Sequence, residues 1–208
     1  MDLLEQSEAL FSQAETILRE SNLPGIFSRL GEIYFAGSYQ LRLMVRPDID
    51  MIVTTETPSR DEAVRATKEL LDCGYFQSVV FIDHYSWGGR LDAKMNAKGF
   101  YWHLDLPKFE RQWKCDVWYL RPEENTFVSQ TERFESLLEK EPGARETILQ
   151  LKHAFRQGKG YRGGATGAKI CSAVLEHGIT EPDALVAYLR SLSENEGTEP
   201  TRPGTVPL

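Results

Sequence analysis

Three things are scarce in this chain of 208 residues. Cysteine is the first: Cys73, Cys115 and Cys171 stand far apart with no CxxC spacing, which excludes a zinc ribbon or a disulfide framework as the organising device. Long apolar runs are the second, and no stretch approaches the roughly 20 residues that a bilayer-spanning helix needs. The third is positive charge. Lys and Arg number 24 against 31 Asp and Glu, for a formal net charge of −7. Sequence-independent binding to nucleic acid depends on neutralising phosphates with basic side chains, so long nucleic acid is not the expected partner. The N-terminal MDLLEQSEALF is acidic and amphipathic, unlike a secretory signal with its basic start and apolar block. A reducing cytoplasm and no membrane are the expectation.

What is present concentrates in residues 35 to 53, FAGSYQLRLMVRPDIDMIV. Nine residues separate Gly37-Ser38 from Asp48-Ile49-Asp50. Side chains at i and i+2 of a strand share a face, so both carboxylates project from one side while Ile49, Met51 and Val53 point to a core. Adjacent carboxylates repel each other unless a cation lies between them. Hard divalent ions take oxygen ligands, often one or two carboxylates together with phosphate oxygens. Gly37-Ser38 reads as the start of a helix running to about Val45, where glycine permits close backbone approach and free N–H groups with a hydroxyl suit phosphate.

Gly-Ser, a short helix, then Asp-x-Asp on a strand resembles the signature of the polymerase-β-like nucleotidyltransferase superfamily, over roughly residues 30 to 120. The resemblance implies a third carboxylate on a later, neighbouring strand. WKCDVWYL, residues 113 to 120, offers Asp116 with alternation around it, and Asp105 in YWHLDL is the rival. It further implies that Asp48, Asp50 and Asp116 hold two Mg²⁺ ions, with Asp116 beside the attacking hydroxyl. Ser38 would bind a phosphate of the NTP, with ATP the favoured donor, and Gly37 would admit it. The implied reaction moves NMP from NTP to an acceptor hydroxyl. Short length and acidic charge point to a small-molecule acceptor, and a protein or RNA end is the alternative. A non-catalytic nucleotide-binding protein of the same fold is a further reading.

The remaining chain reads as an α/β (α+β) protein: a mixed sheet of about five strands with flanking helices over 1–125, a C-terminal helical region over 126–192, and a disordered tail over 193–208. Helices are expected over 2–21, from Ser59 to about Cys73 with Ser59 and Glu62 as a capping box, and over 131–140, 143–157, 166–177 and 181–191. Strands are expected over 33–36, 48–54, 75–83, 100–106 and 113–120.

Residues 140 to 175 carry seven Lys/Arg against two Glu, a local balance of +5. Lys152, Arg156 and Lys169 are its basic candidates for a bound triphosphate, beside Arg42 and Arg46 near Ser38. Gly163 to Lys169 resembles a phosphate loop but breaks the G-x-x-x-x-G-K-[ST] spacing, so it reads as a loop entering a helix with Thr166 as N-cap. Trp87, Trp102, Trp113 and Trp118 could stack on a base but read first as core. A homodimer through the C-terminal helices stays open, and would need an exposed apolar stripe on residues 131 to 191.

Overall fold

A computed structural model describes residues 2–86, 98–106, 112–157 and 166–196. Five strands form one mixed sheet: β1 (Glu32–Ala36), β2 (Asp48–Thr54), β3 (Ser78–Asp83), β4 (Gly99–Leu106) and β5 (Trp113–Leu120), in the order β1-β2-β5-β4-β3. β2 runs parallel to β5, and every other pair is antiparallel. The period-2 pattern decides the two faces. Ile49, Met51 and Val53 of β2, Cys115, Val117 and Tyr119 of β5, and Phe100, Trp102 and Leu104 of β4 enter one core. Three helices cover that face, namely α1 (Leu3–Ser21), α2 (Leu23–Phe27) and, after a two-strand excursion, α4 (Arg60–Asp72). Trp102 and Trp113 are wholly buried there, whereas Trp87 lies outside the described residues.

The opposite face carries Asp48 and Asp50 of β2 with Asp116 and Trp118 of β5. Beside it stand α5 (Thr126–Lys140), α6 (Ala144–Gln157), α7 (Gly167–His177) and α8 (Pro182–Glu196). Phe134, Leu138, Ile148, Leu149, Ile170, Val174, Leu185 and Leu189 of these helices pack into a second core with Leu41 and Leu43. None of the exposed large apolar side chains among the described residues lies between 131 and 191, so the stripe that a helical dimer would need is absent there. No helix among the described residues is long and apolar enough to cross a membrane.

Four expectations are corrected. The helix from Ser38 to Val45 is only one turn, α3 (Gly37–Gln40), because Arg42 takes a left-handed conformation at φ 52°. Carbonyls of the following segment are satisfied from other elements instead of by a helix ladder. Arg145 donates to Leu41 O at 2.7 Å, Ser7 to Arg42 O at 2.9 Å, Lys152 to Leu43 O at 3.1 Å, and Arg156 to Val45 O. Much of the basic charge of α6 is thus occupied in bracing this turn. The Ser59 side chain makes no cap hydrogen bond, and Glu62 instead accepts one from Tyr119 at 2.8 Å, which ties α4 to β5. α5 begins five residues earlier than expected, at an N-cap formed by Asn125. α8 continues to Glu196, into the segment read as tail, and the rest of that tail lies outside the described residues.

A hydrogen bond from Trp102 Nε1 to Thr67 Oγ1 at 2.8 Å fixes α4 on β4. Thr67→Val keeps the shape and strands a buried indole N–H, an error worth about 1–3 kcal/mol. Urea unfolding should show a lower midpoint for T67V with an unaltered slope, and an unchanged midpoint would remove this bond from the account.

Candidate active site

The site begins with a row across the sheet. Ala36 of β1, Asp50 of β2, Asp116 of β5 and His103 of β4 lie opposite one another in turn, and Asp48 lies opposite Lys114 in the next row. Period 2 therefore puts Asp48, Asp50, Lys114, Asp116 and His103 on one face. One oxygen from each of Asp48, Asp50 and Asp116 lies within 4.8 Å of the other two.

Gly37 makes the approach to this row possible. Its φ is +64°, a region that L side chains rarely adopt, and a Cβ there would lie 2.6 Å from Asp50 Oδ2. Its N–H donates to Thr131 Oγ1 of α5 at 3.1 Å. Ser38 follows, with Oγ accepting from Lys152 Nζ at 3.0 Å. α7 starts against this pair. A Cβ on Gly167 would lie 3.4 Å from Ser38 Oγ and 3.5 Å from Lys152 Nζ, and Thr166 caps the helix by accepting from Lys169 N. Ser38, Lys152, Gly167 and the three aspartates all line one cavity of about 310 Å³. Its other walls include Trp118, Phe127, Gln130, Thr131 and Phe134.

The charges are tightly arranged. Lys114 Nζ stands 2.9 Å from Asp48 Oδ1 and 2.5 Å from Asp116 Oδ2, while Arg46 reaches Asp48 Oδ2 at 2.5 Å. Asp116 Oδ1 accepts from Tyr101 OH at 2.6 Å and lies 2.7 Å from His103 Nδ1. Burial works against the Asp116 carboxylate, but hydrogen bonds from Lys114, Tyr101 and His103 outweigh it and hold its pKa below the usual range. For Lys114, burial disfavours the charge, and the two carboxylates more than restore it. Among the described residues Asp50 has no such hydrogen-bond donors. Burial first, then repulsion from Asp48 and Asp116, pushes its pKa up to about 7. Lys152 is buried enough that desolvation lowers its pKa.

The donor set fits a hard divalent cation. Three carboxylates converge, Asp50 is destabilised as an anion, and Asp48 Oδ1 is buried beside the Lys114 ammonium. Of the residues singled out in the sequence, Gly37, Ser38, Arg46, Asp48, Asp50, Asp116 and Lys152 come together. Asp105 stands one row away, 3.5 Å from His103 Nε2 and apart from the carboxylate cluster. Arg42 turns aside, its guanidinium 4.2 Å over the Phe11 ring and paired with Glu8. Lys169 and Arg156 are not among the cavity-lining residues.

Lys114, Tyr101 and Thr131 were not anticipated. A signal existed for the first, since Lys114 is two residues before Asp116 and so shares its face. Tyr101 shares His103's face for the same reason, whereas Thr131 depends on the docking of α5.

No protein-family model matches this sequence, and no curated protein matches it. Solved structures do match in shape. The Cid1 poly(U) polymerase, with Mg and 3′-dATP bound, superimposes with a TM-score of 0.57 at 16% identity, over 80% of this chain and 49% of that one. For the polymerase core of the RNA surveillance complex TRAMP the TM-score is 0.52 at 19% identity, over 90% and 58%. A cytoplasmic RNA terminal U-transferase gives 0.54 at 15%, over 84% and 53%. The chain thus spans about half the length of these structures. At such identities the likeness is one of architecture alone: a five-stranded mixed sheet with flanking helices, similar to the nucleotidyltransferase fold of these structures.

Proposed function

We propose that this chain is a divalent-metal-dependent nucleotidyltransferase that moves a nucleoside monophosphate from an NTP to the terminal hydroxyl of an RNA. The observation that carries it is the convergence of Asp48, Asp50 and Asp116 beside Ser38 and Lys152 in one cavity. In this reading the acceptor oxygen forms a bond to the α-phosphorus, the bond from that phosphorus to the bridging oxygen breaks, and pyrophosphate leaves. Asp48, Asp50 and Asp116 would hold Mg²⁺, as two ions in the full form, and the metal would supply charge neutralisation for the displacement. Ser38 and Lys152 hold the β- and γ-phosphates, with the start of α7 closing over them. Tyr101 and His103 orient Asp116, whose carboxylate takes the proton of the acceptor hydroxyl.

RNA replaces the small-molecule acceptor as the leading reading because the neighbours of the same architecture are a poly(U) polymerase, an RNA surveillance polymerase core and an RNA terminal U-transferase. The charge of −7 keeps a small acceptor as the second reading. One assay separates them. Each of four labelled NTPs, ATP first, is incubated with Mg²⁺ and either an RNA oligonucleotide, its 3′-deoxy counterpart, or aminoglycoside and lincosamide acceptors. Label on the RNA that requires its 3′-hydroxyl supports the proposal. Label on a drug alone transfers the activity to the second reading, and no label anywhere counts against both.

Asp50→Asn should lower transfer by about 10³-fold, which corresponds to roughly 4 kcal/mol of lost transition-state stabilisation. Its metal-free melting temperature should not fall, because the neutral amide relieves repulsion among the carboxylates. Activity within about tenfold of wild type would exclude Asp50 as a ligand.

Lys152→Met tests the phosphate side. Nucleotide affinity in the presence of Mg²⁺ should drop while Mn²⁺ affinity without nucleotide changes little. Calorimetry that shows the reverse order would move Lys152 out of the phosphate site.

A further inference from the structure

Asp48 and Asp116 are held together by a side chain of the chain itself. Lys114 Nζ lies 2.9 Å from one carboxylate and 2.5 Å from the other, on the side of the sheet where the three acids converge. Among the described residues its neighbour Arg46 pairs with Asp48 alone, and its side chain is 60% exposed against 29% for Lys114. Of the two cations, only Lys114 bridges two acids.

We propose that Lys114 is a resident cation of this carboxylate site, and that a divalent ion binds there by displacing its ammonium from Asp48 and Asp116. The proposal rests on the metal-site reading given above and adds what sets the affinity of that site. Three observations carry it. The contacts use Asp48 Oδ1 and Asp116 Oδ2, and Asp116 Oδ1 is already taken by Tyr101 and His103. An ion joining Asp48 to Asp116 therefore meets the ammonium at the oxygens it needs. Asp48 Oδ1 is buried, and the Lys114 ammonium at 2.9 Å is the cation that faces it. A metal ion entering at that oxygen takes over the charge balance that the lysine supplies. Finally, Lys114 lines the same cavity as Ser38 and Lys152. A lysine has a flexible four-carbon stem, so a displaced ammonium has somewhere to go.

The consequence is a coupling between two ligands. A free ion binding alone must expel a positive charge from two carboxylates that it balances. When a triphosphate is in the cavity, the released ammonium gains an anionic partner. Metal and nucleotide should then each raise the affinity for the other by the same factor, as linkage requires. Lys114 in this role is a positioning residue that chooses when the site is open to metal.

The test is Mn²⁺ binding by calorimetry and by electron paramagnetic resonance on the full chain without nucleotide, for wild type, Lys114→Met and Lys152→Met. Lys152 is the control for loss of a nearby positive charge that touches none of the three aspartates. K114M should bind Mn²⁺ about 10- to 100-fold more tightly than wild type, the range in which groups around a metal site usually act. K152M should change far less. K114M should also melt at lower temperature without metal and recover more than wild type when Mn²⁺ is added, because its carboxylates lack their counter-ion. Lys114→Gln repeats the comparison should K114M not fold. Equal affinity in wild type and K114M, or equal gains in K114M and K152M, overturns the role of Lys114 while leaving the metal site standing. No Mn²⁺ binding by any of the three overturns both.

Discussion

Like charge at the centre of the sheet is the constraint around which this molecule is arranged. Three carboxylates within 4.8 Å of one another, one of them on a residue only 5% exposed, would drive β2 and β5 apart if nothing balanced them. The balance comes from Lys114 and Arg46 on one side and from the hydrogen bonds of Tyr101 and His103 on the other. Asp50 is left least compensated, and burial together with repulsion from the other two acids raises its pKa. A core of Ile49, Met51, Val53, Cys115 and Val117 on the reverse face holds the strands together against the repulsion. The apolar face and the acidic face of the same two strands thus depend on each other.

The short turn after Ser38 is the second element of the design. Ending α3 after four residues leaves the carbonyls of Leu41, Arg42, Leu43 and Val45 to partners outside a helix. α6 supplies Arg145, Lys152 and Arg156 to them, and α1 supplies Ser7. Buried carbonyls without partners are costly, so these side chains fix where α6 sits. Lys152 is in this way placed beside Ser38 by a backbone requirement, and its contact with that hydroxyl follows from the same docking.

Much of this was legible in the sequence, for a definable reason. Alternation in DIDMIV and WKCDVWYL separates core from acidic face without any knowledge of the fold, and it put Asp48, Asp50 and Asp116 on one side. That β2 and β5 adjoin came only through the resemblance, and the sheet order and their parallel pairing were not read from the sequence at all, since no local pattern reports which strands adjoin. The overlong helix at Ser38 was misjudged because the run Tyr39 to Val45 mixes apolar and basic residues and reads as amphipathic. What ends it is a left-handed Arg42, supported by donors more than 100 residues away. Those same donors explain why the basic stretch over-promised phosphate contacts. Thr131 and Gly167 owe their places to helix docking, which leaves no periodic signature.

Asp116 follows Asp50 by 66 residues, yet the two end side by side on parallel strands with β3 and β4 intervening in the chain. β4 and β5 are neighbours in sequence and pair at short range, whereas β2 and β5 must close a long loop. The third acid therefore joins the other two only when β5 docks against β2 across that loop. Lys114 travels on β5 and arrives in the same step as Asp116. The strand that brings the third negative charge brings its own counter-ion, so closing the sheet adds no net charge from this pair.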